Sequence, residues 1–221
     1  MTSAPDFHPM PPILTSRRLV YANSKWRAYA DDLRGDGTTV DGYLVVEPMH
    51  AGPDMVTGVA VLGETDGRFA LLHNHRHPLG QRSWEMVKGF IDAGENPADA
   101  ARRELTEETG LACDPEDLVP LGSFTPEGAT MAARGLLFLA RRCRPSGRPD
   151  TAAAISGTVP DGSGPDEIEI GLGATTLFDL ETVERMAGNS EIEDAATLIG
   201  IYRALAWLKR ECRETTPNTS S

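Results

Sequence analysis

GFIDAGENPADAARRELTEETGL, Gly89 to Leu111, is the stretch that decides how the remaining residues are read. Asn96 is a natural N-cap, and Pro97 suits the first helical position, where a missing N–H costs nothing. Asp99 completes a capping pattern. Gly110 stands where a left-handed residue closes a helix. At about 100° of rotation per residue, Glu104, Glu107 and Glu108 fall within an arc of ~100° on one face. Ala98, Ala101 and Leu105 form an adjoining apolar stripe. The spacing predicts a helix docked on a core along one side, with a cluster of three carboxylates beside the dock.

Three crowded carboxylates repel one another and titrate upward unless positive charge is supplied. A hard divalent cation supplies it, and oxygen donors at helical spacing suit Mg²⁺ or Mn²⁺ better than a soft metal. Arg103 is spaced to pair with Glu107 one turn on or with Asp99 one turn back, and so to aim the ligands. The carboxylates alone are equally compatible with a solvated acidic face and ordinary salt bridges.

The order of the fixed residues narrows the choice. Gly89 is followed after five residues by Glu95, and after seven more by Arg103-Glu104-Leu105. One residue on come Glu107-Glu108, and one further Gly110-Leu111. This resembles the signature of the Nudix hydrolases at every fixed position, a far more specific pattern than a lone glycine motif. The resemblance implies an α/β protein of the Nudix type, an α/β/α sandwich around a mixed β-sheet. It also implies a loop–helix–loop that binds divalent metal and cleaves a diphosphate linked to another moiety. By position, Glu104 and Glu108 resemble direct metal ligands and Glu107 a ligand or its close neighbour, with the main-chain carbonyl of Lys88 a further ligand. Glu107 and Glu108 are thereby catalytic candidates. Glu95 either helps organise the metal site or stabilises the helix start by its charge.

Several flanking segments resemble the branch acting on ADP-ribose and nucleoside diphosphate sugars. Asn74-His75-Arg76-His77-Pro78 is similar to its Gln-Tyr-Arg-x-Pro segment, which implies that Arg76 contacts substrate; a guanidinium fits phosphate oxygens bidentately. Trp84-Glu85-Met86-Val87-Lys88-Gly89 resembles a Trp-Glu-x-Pro-Ala-Gly lead-in, with Val87 for proline and Lys88 for alanine. The Lys88 side chain is then placed to add charge near the phosphates. Glu85 either orients groups around the site or is a strand-end charge. Pro126 resembles the branch's downstream proline, although Met131 stands where a glutamate is usual. Asp166 and Glu167 lie where related enzymes carry an acidic loop residue that activates water. Trp26 either stacks on a base, as aromatics of the N-terminal sheet do in related proteins, or packs within a sheet or interface. His73, His75 and His77 alternate as ligands on one strand face would.

The 221 residues suit one domain with a small appendage. Residues 1–50 read as an arm and a small antiparallel sheet, with strands on either side of Ala22–Lys25 and another over Asp41–Pro48. Residues 51–213 read as the main domain and 214–221 as a tail. Within the main domain, strands are expected over Met55–Leu62 and Arg68–His73, joined through Gly63–Gly67, and over Leu118–Phe124 and Leu136–Arg141. Helices are expected over Leu177–Ala187 and Glu193–Cys212. Arg144–Pro165 is a Gly-, Pro- and Ala-rich connection.

A formal net charge of −12 argues against a general nucleic-acid binder. Cys113, Cys143 and Cys212 are odd in number and widely spaced, which suggests a reducing compartment, the cytoplasm. No secretory signal opens the chain, and no run approaches the ~20 apolar residues of a membrane span. In the related enzymes the N-terminal sheet pairs two subunits, so a homodimer is expected. The function expected from the resemblance is Mg²⁺-dependent hydrolysis of ADP-ribose or a related nucleoside diphosphate sugar, with Mn²⁺ as a substitute. GDP-mannose, a dinucleoside polyphosphate or NADH as substrate, and a non-catalytic nucleotide-sensing module, are the alternatives.

Overall fold

The structure is a computed structural model that describes residues 11–147 and 172–215. It divides into two compact units: residues up to Thr57 together with Glu127–Ala133, and Gly58–Pro126 together with the residues from Arg134 onward.

The first unit is a three-stranded antiparallel sheet of β1 (Ile13–Ala22), β2 (Trp26–Gly35) and β3 (Thr38–Pro48), in that order. Asn23 makes the first turn, its side-chain oxygen accepting from the amides of Lys25 at 2.9 Å and Trp26 at 2.7 Å. Asp36-Gly37 makes the second, both at positive φ, the geometry that matches strand twist in a tight hairpin. Arg17 spans the sheet, bonded to Asp31 through two nitrogens and to Glu47 through a third. The segment 127–133 docks on β3, where Val46 exchanges main-chain bonds with Thr130 and Ala132. Every residue of β1 is exposed, so Ile13, Leu14, Leu19, Val20 and Tyr21 stand uncovered.

In the second unit, alternation of apolar residues builds the central sheet. β4 (Val56–Thr65), β5 (Arg68–Arg76), β9 (Leu118–Phe124), β10 (Arg134–Ala140) and β12 (Thr175–Asp179) run in the order β12-β5-β4-β10-β9. β6 (Gln81–Glu85) pairs with β5, and β7 (Val87–Phe90) pairs with β4. Val59, Val61, Ala70, Leu72, Phe138 and Ala140 face one way, onto helix α1 (Pro97–Thr109) through its Ala100, Ala101 and Leu105. Their neighbours Ala60, Leu62, Phe69, Leu71, Leu137 and Leu139 face the other way, onto α2 (Leu180–Gly188) and α3 (Ala195–Thr215). The result is an α/β/α sandwich around a mixed sheet. Two-residue strands β8 (Leu111–Ala112) and β11 (Arg144–Pro145) pair beside the end of α1. Among the described residues no helix is long and apolar enough to cross a membrane.

Two boundaries differ from expectation for physical reasons. The β4–β5 connection is not the stretch Gly63–Gly67 but Asp66-Gly67 alone, with φ of 50° and 75°. Gly63 belongs to the strand; a Cβ there would come within 3.0 Å of Leu105, so the glycine makes room for α1 rather than for a turn. Leu177 does not open a helix, because Thr175–Asp179 is β-branched and aromatic and completes the sheet edge against β5. The helix starts one residue past Asp179, whose carboxylate caps the Thr182 amide at 2.7 Å.

Candidate active site

Helix α1 forms as its sequence dictates. Asn96 accepts from the Ala98 amide at 2.8 Å, Pro97 opens the helix, and Gly110 closes it at φ 70°. Asp99 plays no capping role; its exposed carboxylate lies 3.6 Å from Arg102. The three glutamates differ in setting: Glu108 is buried, Glu104 is 13% exposed and Glu107 is 49% exposed.

Arg103 gathers two of them, Glu104 and Glu107. Its Nη1 lies 2.8 Å from Glu104 and 3.1 Å from Glu107, while Nε and Nη2 form a two-pronged bond to Glu95, both at 2.9 Å. Nη2 also donates to the Phe90 carbonyl at 3.1 Å. Glu95 in turn accepts from the Asp92 amide, closing the loop ahead of the helix. The Arg103 guanidinium, with help from that amide, holds the Glu95 carboxyl below the usual range. Glu95 therefore braces Arg103. Their separation of eight residues is no helical neighbour spacing, so this bond depends on the loop folding back on the helix.

Strand β7 forms the opposite wall. A Cβ built on Gly89 would fall inside the Glu104 carboxylate, so the glycine leaves that carboxylate its place against the strand. Among the described residues no three Asp, Glu, His or Cys side chains converge tightly enough to define a metal position; the charge among Glu95, Glu104 and Glu107 belongs to Arg103. The donor set still fits a hard cation in kind. It is all oxygen, it spans buried Glu108 to half-exposed Glu107, and one carboxylate rests against bare backbone. Glu104, Glu107, Glu108 and the Lys88 carbonyl are the groups that could hold it.

A second cluster lies across the sheet. Glu85, 2% exposed, accepts from Arg76 Nε at 2.9 Å and Nη2 at 2.5 Å, and from Lys88 Nζ at 2.7 Å. Burial pushes the Glu85 carboxyl up, but the two cations outweigh it and hold the group below the usual range. Lys88 Nζ also reaches Asp194 at 2.8 Å. The lysine charge expected near phosphates is thus engaged by two carboxylates, because side chains on β7 alternate and Lys88 faces α3. Arg76, Ser83, Glu85 and Asp194 line an open cleft of about 280 Å³. Asp194, just ahead of α3, joins this cluster through a partner 106 positions away, a contact that no local spacing announces.

The remaining candidates are dispersed. Trp26 begins β2 in the first unit, half-buried and opposite Pro48. Pro126 is exposed just past β9. His73 stacks on Trp84 at 4.3 Å, and His77 leaves the strand for a short turn, so the three histidines do not share a strand face. Asp166 and Glu167 lie outside the described residues, as does most of the Arg144–Pro165 connection.

Comparison with known proteins agrees with this geometry. The NUDIX domain model matches residues 53–162. An ADP-ribose pyrophosphatase of Mycobacterium tuberculosis is 34% identical over 94 residues, 42% of this chain but only 44% of that protein. A MutT-like protein of Streptomyces ambofaciens is 31% identical over 118 residues, 52% of this chain and 67% of that protein. The crystal structure of an ADP compounds hydrolase superposes with a TM-score of 0.68 at 18% identity, covering 91% of this chain and 96% of that one, and so shares its fold. With the box from Gly89 to Leu111 folded as loop, helix and loop against a sandwiched sheet, the chain belongs to the Nudix family.

Proposed function

We propose that the protein hydrolyses the diphosphate bond of ADP-ribose or a related nucleoside diphosphate sugar with Mg²⁺, releasing a nucleoside monophosphate and a sugar phosphate. Mn²⁺ would substitute. The observation that carries this reading is the packing of the Glu104 carboxylate against Gly89, beside Glu107 and buried Glu108. Glu104, Glu107, Glu108 and the Lys88 carbonyl would hold the cation. When bound, it would neutralise charge on the diphosphate oxygens and make a water easier to deprotonate. Arg103 aims Glu104 and Glu107 through its hydrogen bonds, and Glu95 keeps Arg103 in place. Asp166 or Glu167 would take the proton from the attacking water. Arg76, Glu85, Trp26 and Pro126 are assigned to substrate, with Arg76 reaching it from its anchor on Glu85.

The uncovered apolar residues of β1 support a homodimer through the N-terminal sheet. Cys113, Cys143 and Cys212, none of them in a disulfide with another, support a reducing, cytoplasmic setting.

The test is release of nucleoside monophosphate from a panel of ADP-ribose, ADP-glucose, GDP-mannose, a dinucleoside polyphosphate and NADH, each with Mg²⁺ or EDTA. Fastest turnover of an ADP-sugar with Mg²⁺ is expected. No turnover of any member, with nucleotide binding unaffected by Glu108→Gln, would instead identify a sensing module.

A further inference from the structure

Strand β7 carries the candidate site on one side and is tied down on the other. Val87 and Gly89 face α1, while Met86 and Lys88 face α3. On that second face Lys88 Nζ bridges Glu85 at 2.7 Å and Asp194 at 2.8 Å. The other oxygen of Asp194 accepts from the Thr197 amide at 2.9 Å and from its hydroxyl at 2.6 Å, as an N-cap does at the start of α3. The Thr197 hydroxyl oxygen accepts from the Met86 amide at 3.0 Å. Arg76 closes the far end on Glu85. Residues 85–88 are thus stapled to the first turn of α3 at two points, the Met86 amide and the Lys88 ammonium. Two cations balance two carboxylates in a largely buried setting.

We propose that the Lys88 side chain is a positioning residue for the candidate metal site: by bridging Glu85 and Asp194 it pins β7, and with it Gly89 and the Lys88 main chain, against the Glu104 carboxylate. The inference rests on the metal-binding reading above. Its physical basis is the cost of the alternative. Without the ammonium, Asp194 keeps only its bonds to Thr197 and Glu85 keeps only Arg76, so two nearby carboxylates lose the charge between them. The strand then relaxes away from α3, and the site on its opposite face loses its fixed wall. Groups that orient metal ligands through one intermediary typically change affinity by about 10- to 100-fold when removed.

The test is the dissociation constant for Mn²⁺, read by electron paramagnetic resonance of the free ion, for the wild-type protein and for Lys88→Met, Lys88→Arg and Asp194→Asn. Lys88→Met and Asp194→Asn should weaken binding about 10-fold. Lys88→Arg, which can still bridge two carboxylates, should recover most of the loss, and far-UV circular dichroism should not change. Wild-type affinity in folded Lys88→Met overturns the proposal. Should Lys88→Met fail to fold, Asp194→Asn carries the test, and wild-type affinity there overturns it equally. A wild-type protein that binds no Mn²⁺ overturns the metal reading itself, which keeps the two failures apart.

Discussion

The Cα of Gly89 and the carboxylate of Glu104 occupy adjoining space that a single methyl group would overfill. The strand position and the helix position are fifteen residues apart in sequence, yet a side chain at the first would have to displace the carboxylate of the second. Gly89→Ala should displace the Glu104 side chain while leaving the α1 core of Ala100, Ala101 and Leu105 in place. The expected result is a loss of turnover of about 100-fold or more, the scale seen when one preorganised electrostatic group is lost. Far-UV circular dichroism should stay unchanged. Wild-type turnover in Gly89→Ala would show that the tight approach is packing alone.

Arg103 is the counter-charge for Glu95, Glu104 and Glu107. In metal-free protein, Arg103→Gln leaves those carboxylates to repel one another. The guanidinium is partly exposed, so solvent screens the loss to about 1–2 kcal/mol. For a chain of this size that lowers Tm by roughly 5 °C in EDTA. A cation bound at the same carboxylates would make up part of the deficit, so millimolar Mg²⁺ should raise Tm more in Arg103→Gln than in wild type. Differential scanning calorimetry with and without Mg²⁺ decides the matter; equal increments would place the cation elsewhere.

The parts of this fold that could be read in advance are those fixed by neighbours in sequence. Asn96, Pro97 and Gly110 act within one turn of the helix they bound, and alternation along β4 and β5 sorts their side chains onto two faces without further information. What escaped was tertiary. The two-pronged Glu95–Arg103 bond needs the loop to fold back on the helix, and the Lys88–Asp194 bridge needs β7 to lie under α3. Both look like ordinary surface charges until the sheet is assembled. The end of edge strand β12 reads as helix from Leu177 because Leu177 and Phe178 precede a genuine helix. The discriminating signal was present in Thr175-Thr176 and in the capping Asp179.

Stability should fall with acid in a way that Asp194 controls. Burial pushes its carboxyl up, but Lys88 and Thr197 outweigh burial and hold it below the usual range. Glu85 is displaced in the same direction, with Arg76 and Lys88 overcoming burial. A carboxylate whose folded pKa is depressed adds stability above its unfolded value, about 4, and loses it as pH falls through the folded value. Wild-type Tm should therefore drop between about pH 5 and pH 3. Asp194→Asn, less stable at pH 7, should drop less steeply over that window. Parallel curves for the two proteins would mean that the Lys88–Asp194 bridge contributes nothing to acid sensitivity.

Thiol reactivity should report on the end of the glutamate-bearing helix. Gly110 hands α1 directly to β8, and the pairing of Ala112 with Arg144 and Leu111 with Pro145 sets Cys113 opposite Cys143 one step along. Both cysteines are buried in the core beneath α1, whereas Cys212 is exposed near the end of α3. The Cys143 thiol donates to the Ala140 carbonyl, and its amide to the Glu64 carbonyl, so neither side of this pairing is loose. A thiol reagent such as 5,5′-dithiobis(2-nitrobenzoic acid) reaches buried sulfur only through local or global opening. One thiol per chain should react within the mixing time and the other two only with the opening rate, all three becoming equivalent in denaturant. Mg²⁺ held at the proposed site would stabilise α1, and should then slow the two late thiols and leave the first unchanged. Three fast thiols in native protein would mean that β8 and β11 do not hold together in solution, and the C-terminal cap of α1 would then be unsupported.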